Sequence, residues 1–482
     1  MSTPIRSATV LVVVLVILMI VSLAAYSFTL TMESEHLAIR NTGDRLIAQQ
    51  AAYSGAEILT ALLELPRQDR LAAKARLRDG LELWPSVDDP TVDIQTFVDF
   101  GLEGTANAGF PLDSGNSNPR SNNRRTAKPT TAGSDAMWVA PTRMIDESSK
   151  LNLHSLLDWD LVYPGQARKA LLQLTEMDES TADQILDWID ADSLERGQGY
   201  EVNARNSIPL YIEELPRGTG NPDESLLNAR PAWLDSLTVS SAERNEAFDG
   251  QPRIDVNQAS LLILHQQLLK VVPLPLANYI VALRQYGQSR TSGKTQEAAA
   301  LTLDFNVPAT TRITSLIDLL NSQVAIPIER GRETVPSPID PKFGLAGMAV
   351  GQILDHLTLT SSPRLIGRIN LMEASPEVIA GVPGLDNTLA QQIVTGRTVN
   401  QETTYHAYQI LSNAGIPQIS IERSLPYLTV GGDVLRAPLV GYSNQGDIEY
   451  RYEVLVDASR NPGRWSAMVE DRFNHQYPFQ TQ

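Results

Sequence analysis

The sequence lacks cysteine altogether among its 482 residues, so disulfide bonds, thiol catalysis and thiolate metal sites are all excluded. Basic residues are also in the minority, since 39 lysines and arginines stand against 56 aspartates and glutamates, and the formal net charge is −17. A protein that binds nucleic acid usually presents a basic face to the phosphates. The charge balance therefore disfavours nucleic acid as a partner.

Recognisable catalytic motifs are missing as well. The sequence contains no HExxH, GxSxG, P-loop or GxGxxG pattern. The six histidines are dispersed, and no two of them have the close spacing of a zinc site. Aspartates and glutamates are too numerous for any pair to stand out as a general acid and base. We therefore expect a protein that is not an enzyme.

One long apolar segment stands out. Residues 8–32 contain no charge, proline or glycine, and as a helix they would exceed the ~30 Å hydrocarbon core of a bilayer. They predict a single transmembrane helix preceded by a leader over residues 1–7. Arg6 precedes the segment whereas Glu33 and Glu35 follow it, which favours a cytoplasmic N-terminus. A cleaved secretory peptide is the alternative, although its apolar region is usually only ~7–15 residues long.

The rest of the chain divides into three regions by pattern. Residues 33–150 continue the helix as far as Pro66 and then show strand-like pieces and a polar loop over 101–133, which we predict to be mobile. Residues 151–425 have mainly helical patterns, and residues 426–482 are rich in strand formers. These patterns predict an α+β fold with a long N-terminal helix on a small antiparallel sheet and a large helical insert.

The helical insert contains an internal repeat. The segments KLNLHSL (150–156), RIDVNQAS (253–260) and RINLMEAS (368–375) share a basic residue, an apolar residue, Asn or Asp, and a second apolar residue. Each segment leads into two helical stretches, and the clearest copy has the turn Val382-Pro383-Gly384-Leu385 between them. We interpret the insert as three hairpin repeats of the SAM-like or helix-hairpin-helix type.

A helical hairpin with a Pro-Gly turn can bind a DNA phosphate at its helix N-termini. Here Asp386 follows the clearest turn, and Glu176, Asp178 and Glu179 lie at the turn of the first copy. These carboxylates would repel phosphate, so packing is the favoured role for the hairpins. Binding to DNA is the alternative.

An acidic cluster is the candidate metal site. Asp187 and Asp190 are three residues apart on one predicted helix face, and Asp192, Glu195 and Glu201 follow in a glycine-containing loop. The cluster offers only oxygen ligands, so it favours Ca²⁺ over a transition metal. The alternative interpretation is a helix C-terminus with solvated acids.

Several stretches, taken in order, resemble the minor pseudopilin K family of type II secretion systems (general secretion pathway protein K). They are RSATVLVVVLVILMIVSLA, AQQAAYSGAEI, DESSKLNL, DWIDAD with the acidic loop after it, INLMEASPEVIAGVPGL and the terminal strands. The resemblance implies a pilin-like fold, an inner-membrane anchor with the bulk of the chain in the periplasm, and calcium in the helical insert. It also implies a place at the tip of a pseudopilus with other minor pseudopilins as partners.

The resemblance further implies cleavage by prepilin peptidase after a leader. The family has glycine at the border, whereas this chain has Ser7, so that Ala8 would begin the mature protein. The fifth residue after the border is Val12 instead of the glutamate of major pilins, and K-type pseudopilins share this absence. A membrane-anchored nucleic-acid-binding protein of the competence type, using its hairpins, is the alternative function.

Overall fold

The protein is of the α+β type, with a long apolar N-terminal helix and several small sheets, as the sequence predicted. The computed structural model describes the following residues: 5–72, 92–93, 138–141, 144–199, 201, 204–215, 231–290, 294–320, 322–328, 331–339, 347–397, 404–442 and 449–469. The loop predicted over 101–133 lies outside the described residues.

The described helices and strands follow in chain order. The helices are α1 Ile5–Glu64, α2 Arg67–Ala72, α3 Leu153–Val162, α4 Gln166–Leu171, α5 Glu179–Ile189, α6 Ala232–Asp235, α7 Leu261–Leu268, α8 Leu274–Tyr286, α9 Gly347–Asp355, α10 Pro376–Ala380, α11 Asn387–Gly396, α12 Ala407–Asn413 and α13 Gln418–Ser424. The strands are β1 Val92–Asp93, β2 Trp138–Pro141, β3 Ile145–Asp146, β4 Leu151–Asn152, β5 Leu237–Thr238, β6 Ala242–Arg244, β7 Ile254–Asp255, β8 Lys294–Thr295, β9 Gln323–Ile328, β10 Gly331–Pro336, β11 Leu357–Thr358, β12 Arg364–Ile366, β13 Ile369–Asn370, β14 Leu428–Thr429, β15 Val434–Tyr442, β16 Glu449–Asp457 and β17 Arg464–Val469.

Helix α1 is continuous over 60 residues, which corresponds to about 90 Å. Every residue from Val10 to Gly43 is exposed. This exposed part includes residues 10–32 of the apolar segment, and the helix is long and apolar enough to cross a membrane. The helix ends just before Pro66, because proline disfavours the helical conformation of the residue that precedes it.

The C-terminal part of α1 packs on the main sheet. Its buried residues Ala48, Ala52, Ala56 and Leu59 recur three or four positions apart and form one face of the helix. The alanines allow a close approach, since a Cβ atom added at Gly441 of β15 would overlap the carbonyl oxygen of Ala48. Gly441 is therefore required by the contact between helix and strand.

The main sheet joins strands from both ends of the described chain. Its order is β1-β2-β15-β16-β17, with β3 also pairing with β15, and all of these pairs are antiparallel. Because Asp146 of β3 lies opposite Leu435 of β15, the chain leaves the sheet and re-enters it on neighbouring strands. The helical region between them has a hydrophobic core of its own, which extends from Leu151 to Val430.

Polar contacts attach the helical region to the end of α1. The Arg244 guanidinium donates hydrogen bonds to the carbonyl oxygens of Leu63, Glu64 and Leu65 at 2.9–3.2 Å. These carbonyls have no partner within the helix, so Arg244 caps the C-terminus of α1. The long helix, the sheet and the helical region consequently meet at this point.

Three parallel two-stranded pairs organise the helical region. They are β4 with β5, β7 with β11, and β13 with β14, and each pair opens with one of the three repeated sequence segments. The closing strand reads Leu-Thr in all three, at positions 237–238, 357–358 and 428–429. This second repeated motif was not part of the prediction, although its recurrence is visible in the sequence.

The repeated Asn or Asp has a local structural role. The side-chain oxygens of Asn152, Asp255 and Asn370 each accept a hydrogen bond, at 2.8–3.0 Å, from the backbone N–H two residues further on. Such a bond stabilises the turn that leads out of the strand. Only a short side chain with an oxygen acceptor provides it, which explains why Asn or Asp recurs.

The basic residue that opens each repeat forms a buried ion pair. Lys150 pairs with Glu147 at 2.8 Å, and the Glu147 carboxylate is fully buried and also contacts Arg436 at 2.9 Å. Burial raises the pKa of Glu147, but the charges of Lys150 and Arg436 more than offset this effect and hold the pKa at about 2. Glu147 thus stays charged in the interior, where the Thr238 hydroxyl also binds it.

The contact between α1 and the sheet gives a first prediction. The change Gly441→Ala should lower the free energy of unfolding by about 1–3 kcal/mol, because the added methyl group overlaps backbone atoms of α1. The change Gly43→Ala is the matched control, because nothing lies near that position and alanine favours the helix. Denaturant unfolding in detergent measures both, and equal stability of the two variants would contradict the packing argument.

Glu147 gives a second prediction, on the dependence of stability on pH. Its pKa lies below the usual 4.5 in the folded state, so its contribution is present above pH 4.5 and is lost as the pH falls towards 2. Glu147→Gln should lower stability at pH 7 by on the order of 3 kcal/mol and flatten the pH dependence in this window. Glu453→Gln is the control. The Glu453 carboxylate is more exposed and lies 3.8 Å from Arg436, so this change should have little effect on stability or on its pH dependence.

Candidate functional site

The acidic cluster lies on one face of helix α5. The side chain of Asp178 accepts a hydrogen bond from the Thr181 N–H at 2.7 Å and begins the helix. Asp183 and Asp187 then follow within the helix, Asp190 is the residue directly after its C-terminus, and all three are buried. The helix therefore presents a row of buried carboxylates beside its apolar face.

The loop after α5 folds back over this row. The backbone N–H of Gln198 donates to Asp183 at 3.0 Å, and the N–H of Arg196 donates to Asp187 at 3.1 Å. A Cβ atom added at Gly199 would overlap the Asp187 carboxylate, so the loop can lie this close only because that residue has no side chain. The two glycines of this loop thus serve close packing against the carboxylates.

The fold brings three of the five predicted ligands together. Asp187, Asp190 and Glu201 each offer an oxygen atom within 4.8 Å of the others. Asp192 and Glu195 do not belong to this group, and both are exposed. The Asp192 carboxylate instead accepts a hydrogen bond from the N–H of Leu194 at 2.8 Å, within its own loop.

Two arginines neutralise part of the cluster. The Arg196 guanidinium donates to Asp190 at 2.8 Å and lies 3.5 Å from Asp160, and Arg168 donates to Asp183 at 2.6 Å. Sequence reasoning missed Arg196, Asp183 and Asp160. The position of Asp183 four residues before Asp187 could have revealed the first acid of the row, whereas Asp160 comes from a separate helix and gives no local signal.

The environment of Glu201 is strongly negative. Burial of its carboxylate, with the charges of Asp187 and Asp190 nearby, raises the pKa of Glu201. Both of its carboxylate oxygens, and Oδ1 of Asp190, are buried without a hydrogen-bond partner among the residues that the structure describes. Three carboxylate oxygens without partners form an arrangement that a hard cation would satisfy.

The predicted hairpin turn is packed inside the helical region. Val382, Pro383 and Leu385 are buried between α10 and α11, and Gly384 adopts a φ of +85°. A Cβ atom at Gly384 would lie 2.6 Å from that of Arg423, so a neighbouring helix covers the turn.

The residues predicted to flank the processing site lie at the start of α1. Ser7 and Ala8 belong to the first turns of this helix, which begins at Ile5. Ser7 directly precedes the apolar segment, and Ala8 is the first residue of that segment.

Comparison with known proteins gives no relative from which to transfer a function. No protein-family model and no curated protein matches this chain. Its function is therefore inferred from the long helix, the sheet and the acidic cluster.

Proposed function

We propose that this chain is a minor pseudopilin-like component of a type II secretion system, which initiates or caps a periplasmic pseudopilus for protein export. The observation that carries this proposal is the division of α1 into two halves. The half from Val10 to Gly43 is exposed and includes residues 10–32 of the apolar segment, while the half from Ala48 onwards packs on a sheet. The exposed half requires lipid, or the helices of sister subunits, to cover its apolar surface.

The apolar segment suits both environments. Residues 8–32 carry no charge, so they can lie in a bilayer and can also pack against other apolar helices outside it. The valine at position 12, where a major pilin has glutamate, has no charge to neutralise the amino group of a subunit above it. A subunit at the tip has no subunit above it, and this position in the filament therefore fits the sequence.

The size of the helical region also supports a place at the tip. Its core extends from Leu151 to Val430, whereas the core shared by α1 and the sheet is far smaller. In a filament whose subunits stack along their long helices, a bulky insert would collide with the subunits above unless its own subunit ends the filament. We infer an inner-membrane anchor with a cytoplasmic N-terminus from Arg6, Glu33 and Glu35, and a periplasmic body.

Nucleic-acid binding of the competence type is the weaker proposal. The hairpin turn at 382–385 is largely buried, and Asp386 adjoins it, so a phosphate would meet a carboxylate and a covered backbone. The net charge of −17 adds an unfavourable long-range field.

Mass spectrometry of the mature protein identifies its N-terminal residue and so tests whether prepilin peptidase processes the chain. The protein purified from native membranes should begin at Ala8, because prepilin peptidase would cut after Ser7. Ser7→Gly, which restores the residue usual in the family, should be cut at least as completely, and this variant serves as the positive control. A native protein that begins at Met1 or Ser2, alongside complete cleavage of Ser7→Gly, would contradict the filament-tip assignment.

Protein extracted from the same membranes distinguishes the pseudopilin function from nucleic-acid binding. Neighbouring pilin-like proteins should co-purify with the full chain in detergent, and filter binding should retain no DNA. Salt-sensitive retention of DNA, with a slope set by the phosphates contacted, would instead support the alternative.

We also propose that Asp187, Asp190 and Glu201 hold a calcium ion. The supporting observation is that Glu201 and Asp190 retain buried carboxylate oxygens without partners among the described residues. Ca²⁺ takes six to eight oxygen ligands, so backbone carbonyls or water would complete the shell. The Arg196 guanidinium already neutralises part of the negative charge of Asp187 and Asp190, and these ion pairs are the alternative to a bound metal ion.

A calcium titration of the full chain checks this assignment. Ca²⁺ should raise the unfolding temperature saturably, because an ion that binds only the folded state stabilises it. Glu201→Gln should abolish the rise by removing a ligand charge, whereas Glu195→Gln should leave it intact, since that carboxylate lies outside the group. A Ca²⁺ effect that survives Glu201→Gln, or an equal loss in both variants, would rule out this ligand set.

A further inference from the structure

A small cavity lies in the helical region, and none of the residues of the acidic cluster lines it. Its volume is about 140 Å³, and it is lined by Arg253, Arg368 and His406 together with leucines such as Leu357, Leu365 and Leu425. Two guanidinium groups and an imidazole thus line a small space whose other lining residues are leucines, a proline and the hydroxyl-bearing Ser315, Thr358 and Thr360.

The two arginines leave hydrogen-bond donors unused. Arg253 donates to the side chain of Asp355 at 3.0 Å and to its carbonyl oxygen at 2.8 Å, while its Nη1 is buried without a partner. Arg368 donates to Glu243 at 2.7 Å and to the carbonyl oxygen of Leu428, while its Nε is buried without a partner. Both statements concern the described part of the chain. Buried N–H donors without acceptors destabilise a protein unless a ligand or water satisfies them.

His406 adds a third donor. Its Nδ1 accepts a hydrogen bond from the backbone N–H of Tyr408 at 3.2 Å, so the proton of the neutral ring resides on Nε2. Burial, together with the charges of Arg368 and Arg253, lowers the pKa of His406 and keeps the ring neutral. Among the described residues, the polar lining therefore consists of these three nitrogen donors and the hydroxyl groups of Ser315, Thr358 and Thr360, and it includes no carboxylate.

The charges around the cavity do not balance. The charges of Arg67, Arg253 and Arg368 all act on His406, and the carboxylates that act on Arg67 and Arg368 are Glu243 and Asp355. Within the described residues this leaves three positive charges against two negative ones. An uncompensated charge in the interior is costly, and a bound anion would remove the imbalance.

Arg67 does not have a close carboxylate of its own among the described residues. Its guanidinium donates to the carbonyl oxygen of Val430 at 2.8 Å and lies over the ring of Phe248 at 5.8 Å. The neighbouring pairs are balanced, because Arg70 and Arg244 face Asp433 and Glu246. The excess positive charge thus belongs to the group of Arg67, Arg253 and Arg368, of which Arg253 and Arg368 line the cavity while Arg67 lines a neighbouring pocket together with Arg253.

We propose that this cavity binds a small organic carboxylate. The single excess positive charge calls for a monoanion, whose carboxylate would accept hydrogen bonds from Arg253, Arg368 and His406. The leucines opposite them would cover a short aliphatic tail. The volume equals that of about five water molecules, which suits an anion of a few non-hydrogen atoms.

Unfolding of the full chain in detergent, in a buffer free of carboxylates, tests the proposal. Sodium butyrate should raise the unfolding temperature saturably above the value in sodium chloride of equal ionic strength. Inorganic phosphate is the second comparison. The absence of a specific butyrate effect, or an equal effect of phosphate or chloride, would overturn the assignment to a carboxylate.

Variants locate the effect in the cavity. Arg368→Met removes a donor and the excess charge, and it should weaken butyrate binding by roughly tenfold or more. Arg364→Met is the matched control, since Arg364 pairs with Asp457 and does not line the cavity. Leu365→Phe fills the space without changing any charge, so it should abolish binding even if Arg368→Met does not fold. Binding that survives Leu365→Phe would show that the anion binds elsewhere.

Discussion

The close contact between α1 and strand β15 is the constraint on which the rest of the structure depends. The alanine face of α1 lies against Gly441, and the strands on either side of β15 come from both ends of the described chain. Because β3 and β15 are neighbours, the helical region can be inserted between them without opening the sheet. The same contact leaves the other half of α1 free to enter a membrane or a filament, which is the basis of the proposed function.

Without cysteine, the helical region is held together by its core and by buried ion pairs. The three parallel strand pairs share one arrangement, in which a basic residue opens the unit and an Asx turn leads out of the first strand. Breaking a buried pair leaves an uncompensated charge, so these pairs fix the positions of the units even where their net contribution to stability is modest. Among the described residues, carboxylates outnumber arginines in the acidic cluster, whereas arginines outnumber carboxylates in the group of Arg67, Arg253 and Arg368.

Part of the fold could be predicted because its signals are local. The apolar run and Pro66 indicated the long helix and its end, and residues 150–156, 253–260 and 368–375 do open equivalent strands. The closing Leu-Thr strands escaped prediction, although they recur, because two residues are too short to give a strand period. Their pairing with the opening strands bridges 86, 103 and 59 positions in the three units, and hydrophobic periodicity does not report contacts at such separations.

The sequence by itself determined the long helix, the mixed fold and the helix face that carries Asp187 and Asp190, because helical periodicity decides which neighbouring residues share a face. Only the tertiary structure decided that Glu201 joins these two acids while Asp192 and Glu195 do not. It also decided that Arg253, Arg368 and His406 border one cavity, across more than 150 positions of sequence. The physical reason is that these groups are brought together by the packing of separate elements, and local patterns contain no information about such long-range contacts.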